Sequence, residues 1–233
     1  GKRVILTGAM LPSNATNADG PSNHLDAIKW ASMSLDNCPG GIYAVMDGRA
    51  CMAMDLAKRH PTALNAPLQS SPSSSAGLIN PSWLSGVKAV QAAWSEDLPI
   101  PNESEWPWVE ILTSHVGARP ETISRWLDSQ VRGLVLAGSG MGSLHGDWLE
   151  PLKQVASKGI ALVRTSRTGS GSTLPNIPEK DLSGCLASGG LSAPRARIAL
   201  QLALNAEKQA KLAGKSLTWQ DFFARIAVLP VIR

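Results

Sequence analysis

The sequence predicts an α/β fold with mostly parallel sheets and helices on both faces, on two observations. Short, wholly apolar strands alternate with segments of helical length, and glycines stand repeatedly where one gives way to the other. Strands buried on both faces read as continuous runs of Val, Ile and Leu, and the connections between parallel strands must cross over a face. With 233 residues, 43% hydrophobic and 17% charged, the chain is long enough for two domains with cores.

Taken in order, Val4-Ile5-Leu6 is the first strand, followed by Thr7-Gly8 and a helix near 23–34. Ile42 to Met46 is the second strand. Residues 65–107 are rich in Pro and Ser, with weak periodicity, which suits a loop or hairpin excursion ending in an interdomain linker. That places a domain boundary near residue 105, giving units 1–105 and 106–233. Beyond it come a strand at 108–112, a helix at 119–129 with Pro120 in its first turn, a strand at 134–136, a helix near 144–158 and a strand at 160–163. Ser192 is placed to cap a closing helix with Pro194 in its first turn, and Ala196, Ala199, Leu200 and Ala203 fall at core-facing spacing. Residues 219–226 read as a last helix.

Several function classes lose support at this point. The longest apolar runs are strand-length, far below the ~20 residues of a membrane-spanning helix. A net charge of +4 comes from 22 basic and 18 acidic residues scattered mostly singly, which argues against a nucleic-acid footprint. Cys38, Cys51 and Cys185 form no C-x-x-C pair, and an odd count suits buried thiols in a reducing, cytoplasmic setting. His24, His60, His115 and His145 are too dispersed for a metal site. Gly138-Ser139-Gly140-Met141-Gly142 resembles an anion-receiving glycine turn. Ser143 and the apolar residues 160–163 break a dinucleotide fingerprint, so a tight strand-to-helix turn is the better reading.

Three segments together resemble the bacterial asparaginases. One is Leu6-Thr7-Gly8-Ala9-Met10-Leu11-Pro12 with Ala18-Asp19-Gly20-Pro21-Ser22-Asn23. Another is Val45-Met46-Asp47-Gly48-Arg49 through Asp55-Leu56-Ala57-Lys58. The third runs from Leu136-Ala137-Gly138-Ser139-Gly140-Met141-Gly142-Ser143-Leu144 through Val163-Arg164-Thr165-Ser166-Arg167 to Ser192-Ala193-Pro194-Arg195-Ala196-Arg197. Their order and spacing cover nearly the whole chain.

The resemblance implies an amidohydrolase that converts asparagine, or glutamine, to the acid and ammonia through a threonine nucleophile, with no cofactor, as a homodimer or homotetramer. It implies a relay role for Lys58, a substrate contact at the Ala9 carbonyl, a substrate contact across the dimer at Met141, and at Glu179 the acidic residue that a neighbouring subunit contributes. Met141 stands where the family has asparagine, and Leu11 where it has arginine. The family's T-G-G-T-I nucleophile turn, tyrosine loop and T-D pair lie upstream of the match to Thr7. The expectation is therefore a chain representing the C-terminal two-thirds of such an enzyme, inactive alone and with an exposed apolar sheet edge at its start. The competing expectation is a short, non-catalytic relative that binds a small amino acid or only dimerises.

Overall fold

A computed structural model describes residues 2–34, 40–53, 56, 77–78, 98–169, 171–175, 182 and 184–227. The chain divides into two compact units, Gly1–Gln91 and Ala92–Arg233.

In the first unit, β1 (Arg3–Leu6) runs parallel to β2 (Gly41–Met46), with α1 (Gly20–Ser32) between them. The helix begins at Gly20, three residues earlier than expected, because Pro21 occupies its first turn, where no amide donor is needed. Ala27 and Trp30 pack on Tyr43, Val45 and Ala50, and Trp30 meets the Tyr43 ring edge-on at 6.0 Å. Arg3 closes the far end of α1. Its guanidinium donates to the carbonyls of Trp30, Ala31, Met33 and Ser34 at 2.8–3.1 Å, satisfying acceptors that a helix C-terminus leaves open.

The sheet then departs from the parallel expectation. β2 turns through Asp47 (φ 52°) and Gly48 (φ 64°) into β3 (Arg49–Met52), which pairs antiparallel with it and with β4 (Gly77–Leu78). An Asp-Gly pair with both residues left-handed is the two-residue turn whose twist matches that of a hairpin. On the sheet face opposite α1, Val4, Leu6 and Ile42 are each about half exposed, at 47%, 46% and 52%.

In the second unit, β5 (Val109–Thr113), β6 (Gly133–Gly138), β7 (Ala161–Ser166) and β8 (Cys185–Ala187) form an all-parallel sheet in that order. Alternating residues of each strand face opposite layers. Val135 and Val163 pack on α4 (Ala193–Leu212) and α5 (Trp219–Ile226), against Ala196, Ala199, Leu200, Ala203 and Phe223. Leu134, Leu136 and Leu162 pack the other way, on Ile123 of α2 (Glu121–Ser124) and on Leu152 and Val155 of α3 (Leu149–Ser157).

The helix expected over 119–129 is only α2. After Ser124 the amides of Trp126, Leu127 and Ser129 bond three residues back, and the Ser129 hydroxyl takes the Trp126 carbonyl, competing with the α-helical ladder. The expected 144–158 helix is a 3-10 turn at Gly146–Trp148 followed by α3. The last two helices stand as read, with Ser192 and Thr218 at their N-caps. Thr218 and Asp221 form a reciprocal capping box. No described helix is long and apolar enough to cross a membrane.

Candidate active site

Open parallel sheets place ligands beyond the carboxyl ends of their strands, and Ala9 after β1 and Met141 after β6 lie there. In the first unit β1 runs out into the loop Thr7–Pro12. The Asp19 carboxylate, just before α1, accepts from the amides of Met10 (2.9 Å) and Leu11 (2.9 Å) and from Asn23 Nδ2 (2.8 Å). Burial pushes this carboxyl up, but the amides of Leu11, Met10 and Asp19 itself, with the Asn23 side chain, outweigh it and hold the pKa below the ordinary carboxylate value.

Asn23, almost fully buried, extends the network. Its Nδ2 also donates to the Gly8 carbonyl (2.9 Å), and its Oδ1 accepts from the Asp47 amide (2.8 Å) in the β2–β3 turn. One asparagine thus ties the β1 loop, the start of α1 and the hairpin turn together. The loop is held on either side of Ala9, by Gly8 and by Met10. Ala9 itself is exposed, and no described residue donates to its carbonyl. Thr7 is not a free hydroxyl, because Oγ1 donates to the Val45 carbonyl at 2.8 Å.

In the second unit the turn after β6 closes tightly, with the Gly142 and Ser143 amides donating to the Ser139 carbonyl at 2.9 and 2.8 Å. Gly140 (φ 50°) and Gly142 (φ 87°) are left-handed. A Cβ on Gly138 would stand 2.5 Å from backbone atoms of Gly142 and Ser143. The Met141 carbonyl accepts from the fully buried guanidinium of Arg164 at 2.7 Å, and Arg164 also donates to the Leu174 carbonyl. Ser166 Oγ donates to the Gly140 carbonyl at 2.6 Å. Beneath them Thr165, Thr173 and Ser188 form a buried hydroxyl network that reaches the Gly189 and Leu191 carbonyls.

Of the residues singled out from sequence, Ala9 and Met141 therefore sit on fixed loops at the carboxyl edges of their sheets. Lys58 and Glu179 lie outside the described residues, so the geometry says nothing of either. Asp19, Asn23 and Arg164 lie within the resembling segments, and the resemblance assigns them no role. The acidic residue directly before a Gly-Pro helix start was the available signal for Asp19.

Comparison with known proteins agrees with these segments. Residues 1–85 match the family model described as asparaginase, N-terminal, and residues 108–214 match the glutaminase/asparaginase C-terminal domain. Together they take in most of the chain. It belongs to the asparaginase family. Among curated relatives, the probable periplasmic L-asparaginase of Haemophilus influenzae is 30% identical over 214 residues, 91% of this chain and 61% of the relative. L-asparaginase 2 of Bacillus subtilis is 31% identical over 206 residues, 87% of this chain and 54% of the relative. The chain thus spans between half and two-thirds of the length of these asparaginases. The crystal structure of a probable cytoplasmic L-asparaginase from Campylobacter jejuni superposes with a TM-score of 0.78 at 26% identity, covering 95% of this chain and 67% of that one. This is an asparaginase fold in both of its family domains.

Proposed function

We propose that this chain supplies the substrate-orienting part of an amidohydrolase that turns L-asparagine and water into L-aspartate and ammonia. Residues 1–105 and 106–233 are its two parts. The observation that carries the reading is the Ala9 carbonyl, which no described residue donates to and which the Asp19–Asn23 network fixes on both sides. An acceptor so placed can hold the N–H of a substrate carboxamide, and binding through it costs little reorganisation.

The chemistry is covalent. A threonine hydroxyl attacks the amide carbon, the leaving nitrogen takes a proton and departs as ammonia, and water then cleaves the acyl ester. By the same resemblance Lys58 serves the proton relay, Met141 stands where the family's asparagine helps bind substrate across the dimer, and Glu179 stands for the acidic residue that a neighbouring subunit contributes. Thr7 is not the nucleophile, because its hydroxyl is engaged by Val45. No other segment of the 233 residues matches the family's T-G-G-T-I turn, so these residues alone do not turn asparagine over.

A homo-oligomer and a reducing, cytoplasmic setting belong to the same reading. Cys51 and Cys185 are both buried.

The test is ammonia release from asparagine by the 233-residue chain and by the same chain fused to a family nucleophile segment. Background release from the first and saturable release from the second are expected. A folded but silent fusion overturns the amidohydrolase reading. In that case saturable aspartate binding without turnover would favour a non-catalytic amino-acid binder. Ammonia from the chain alone overturns its inactivity.

A further inference from the structure

At the opposite end of the second sheet from Met141, about 20 Å away along the six residues of β6, lies a cavity of about 510 Å³ that the amidohydrolase reading does not use. It opens between α4 and the segment entering β5. Glu105, Pro107, Arg132, Leu204, Glu207, Lys208 and Lys211 are among the residues that border it.

The backbone around it is held in place. Three polar residues one helical turn apart on α4 fasten the entering segment: Arg197 to the Val109 carbonyl (2.8 Å), Gln201 to Pro107 (2.8 Å) and Asn205 to Pro99 (2.6 Å). Gln201 and Asn205 are nearly fully buried. Arg132 is pinned by its backbone, its amide donating to the Trp108 carbonyl and its carbonyl accepting from the Ala161 amide.

Charge decides what fits. Lys211 pairs with Glu207 at 3.2 Å, and Lys208 lies 3.8 Å from Glu105. Two acids thus offset two of the three cations. The guanidinium of Arg132 is left with no hydrogen-bond or ion-pair partner among the described residues. A guanidinium is a planar fork of donors matched to two oxygens of one acid group, and the backbone that carries it is already fixed, so a ligand would have only side chains to order.

We propose that this cavity is a second ligand site, taking a small oxyanion, a carboxylate or a phosphate, on Arg132. Occupancy there joins the entering segment, α4 and the start of β6, and so stabilises the second unit without touching the carboxyl edge of its sheet.

Calorimetric titration of the 233-residue chain at constant ionic strength, with inorganic phosphate in one arm and succinate in the other, tests this. Saturable heat in at least one arm is expected, and the responding arm identifies the class. Arg132→Met should weaken it by about tenfold or more, the scale of a lost charge-assisted pair. Arg132→Lys should recover only part of the loss, since an ammonium lacks the planar fork. Arg132 is exposed, so both variants should fold, which circular dichroism checks; Lys208→Met, on the same cavity, substitutes if one does not and should also weaken binding. No saturable heat in either arm, or heat unchanged by these variants, overturns the proposal.

Discussion

Asp19→Asn is the sharpest test of how the loop around Ala9 is held. In the native chain the carboxylate accepts from two backbone amides and one side-chain amide, at 2.8–2.9 Å. An asparagine presents a single neutral oxygen, and its amide group faces donors where the second oxygen stood. Hydrogen bonds to a charged group contribute about 1.5–3 kcal/mol each when well buried. Asp19 is partly exposed, and the variant keeps one acceptor, so the expected loss is about 2 kcal/mol, near the lower end for a single such bond. Amide exchange at Met10 and Leu11 should then quicken by roughly 30-fold at neutral pH, since 1.4 kcal/mol is a factor of ten.

The pH dependence carries a sign. Because the folded carboxyl is held below its ordinary value, the unfolded chain binds the proton first as pH falls. The ionised contribution is therefore complete above the unfolded pKa, about 3.9. It is lost as pH drops through the folded value below that. Urea unfolding of both proteins should show a stability gap at pH 7 that shrinks as pH falls below the unfolded value. A gap that is absent at pH 7, or that persists undiminished in acid, would refute the account of this loop.

Gly138→Ala should destabilise the second unit by about 3 kcal/mol, the upper end for forced overpacking, because the new Cβ meets backbone that cannot rotate away. Gly146→Ala, where nothing lies within 4 Å, is the matched control, and equal melting temperatures for the two would refute this. In a nucleophile-bearing fusion, Lys58→Met should cut kcat for ammonia release by about 10²-fold or more with circular dichroism unchanged, and wild-type kcat would remove Lys58 from the relay. In the same fusion, Met141→Asn should lower the KM for asparagine more than it alters kcat, since a thioether offers none of the donors of an amide. An unchanged KM would mean the position does not touch substrate.

The second unit was the more legible of the two, and the reason lies in its layers. Every strand of its sheet is parallel and covered on both faces, so Leu134–Leu136 and 160–163 announce themselves as apolar runs, and Ala196, Ala199, Leu200 and Ala203 repeat at helical spacing. The hairpin in the first unit was missed although Asp47-Gly48 carries the strongest short-range signal for one. Strand Arg49–Met52 has only four residues and opens on a charge, so it does not read as a buried strand. Cys185–Ala187 is shorter still and shows no pattern of its own.

The candidate site residues came from resemblance alone, and the contacts that hold their loops were not legible at all, for a physical reason. Periodicity reports which face of an element is buried, but the residues that shape these loops act through single side-chain contacts to distant backbone. Arg164 reaches Met141 across 23 positions, and Asn23 reaches Asp47 across 24. Such contacts are set by where strands end in the folded sheet, and no spacing rule records them. Arg164 even contradicts the pattern around it, a cation in a strand whose neighbours Leu162, Val163 and Thr165 are buried. A buried guanidinium must be matched by acceptors, and here two loop carbonyls at the carboxyl edge supply them. A charged residue inside an otherwise apolar strand that ends at a glycine turn is thus a usable sign that the strand supports a loop beyond its end.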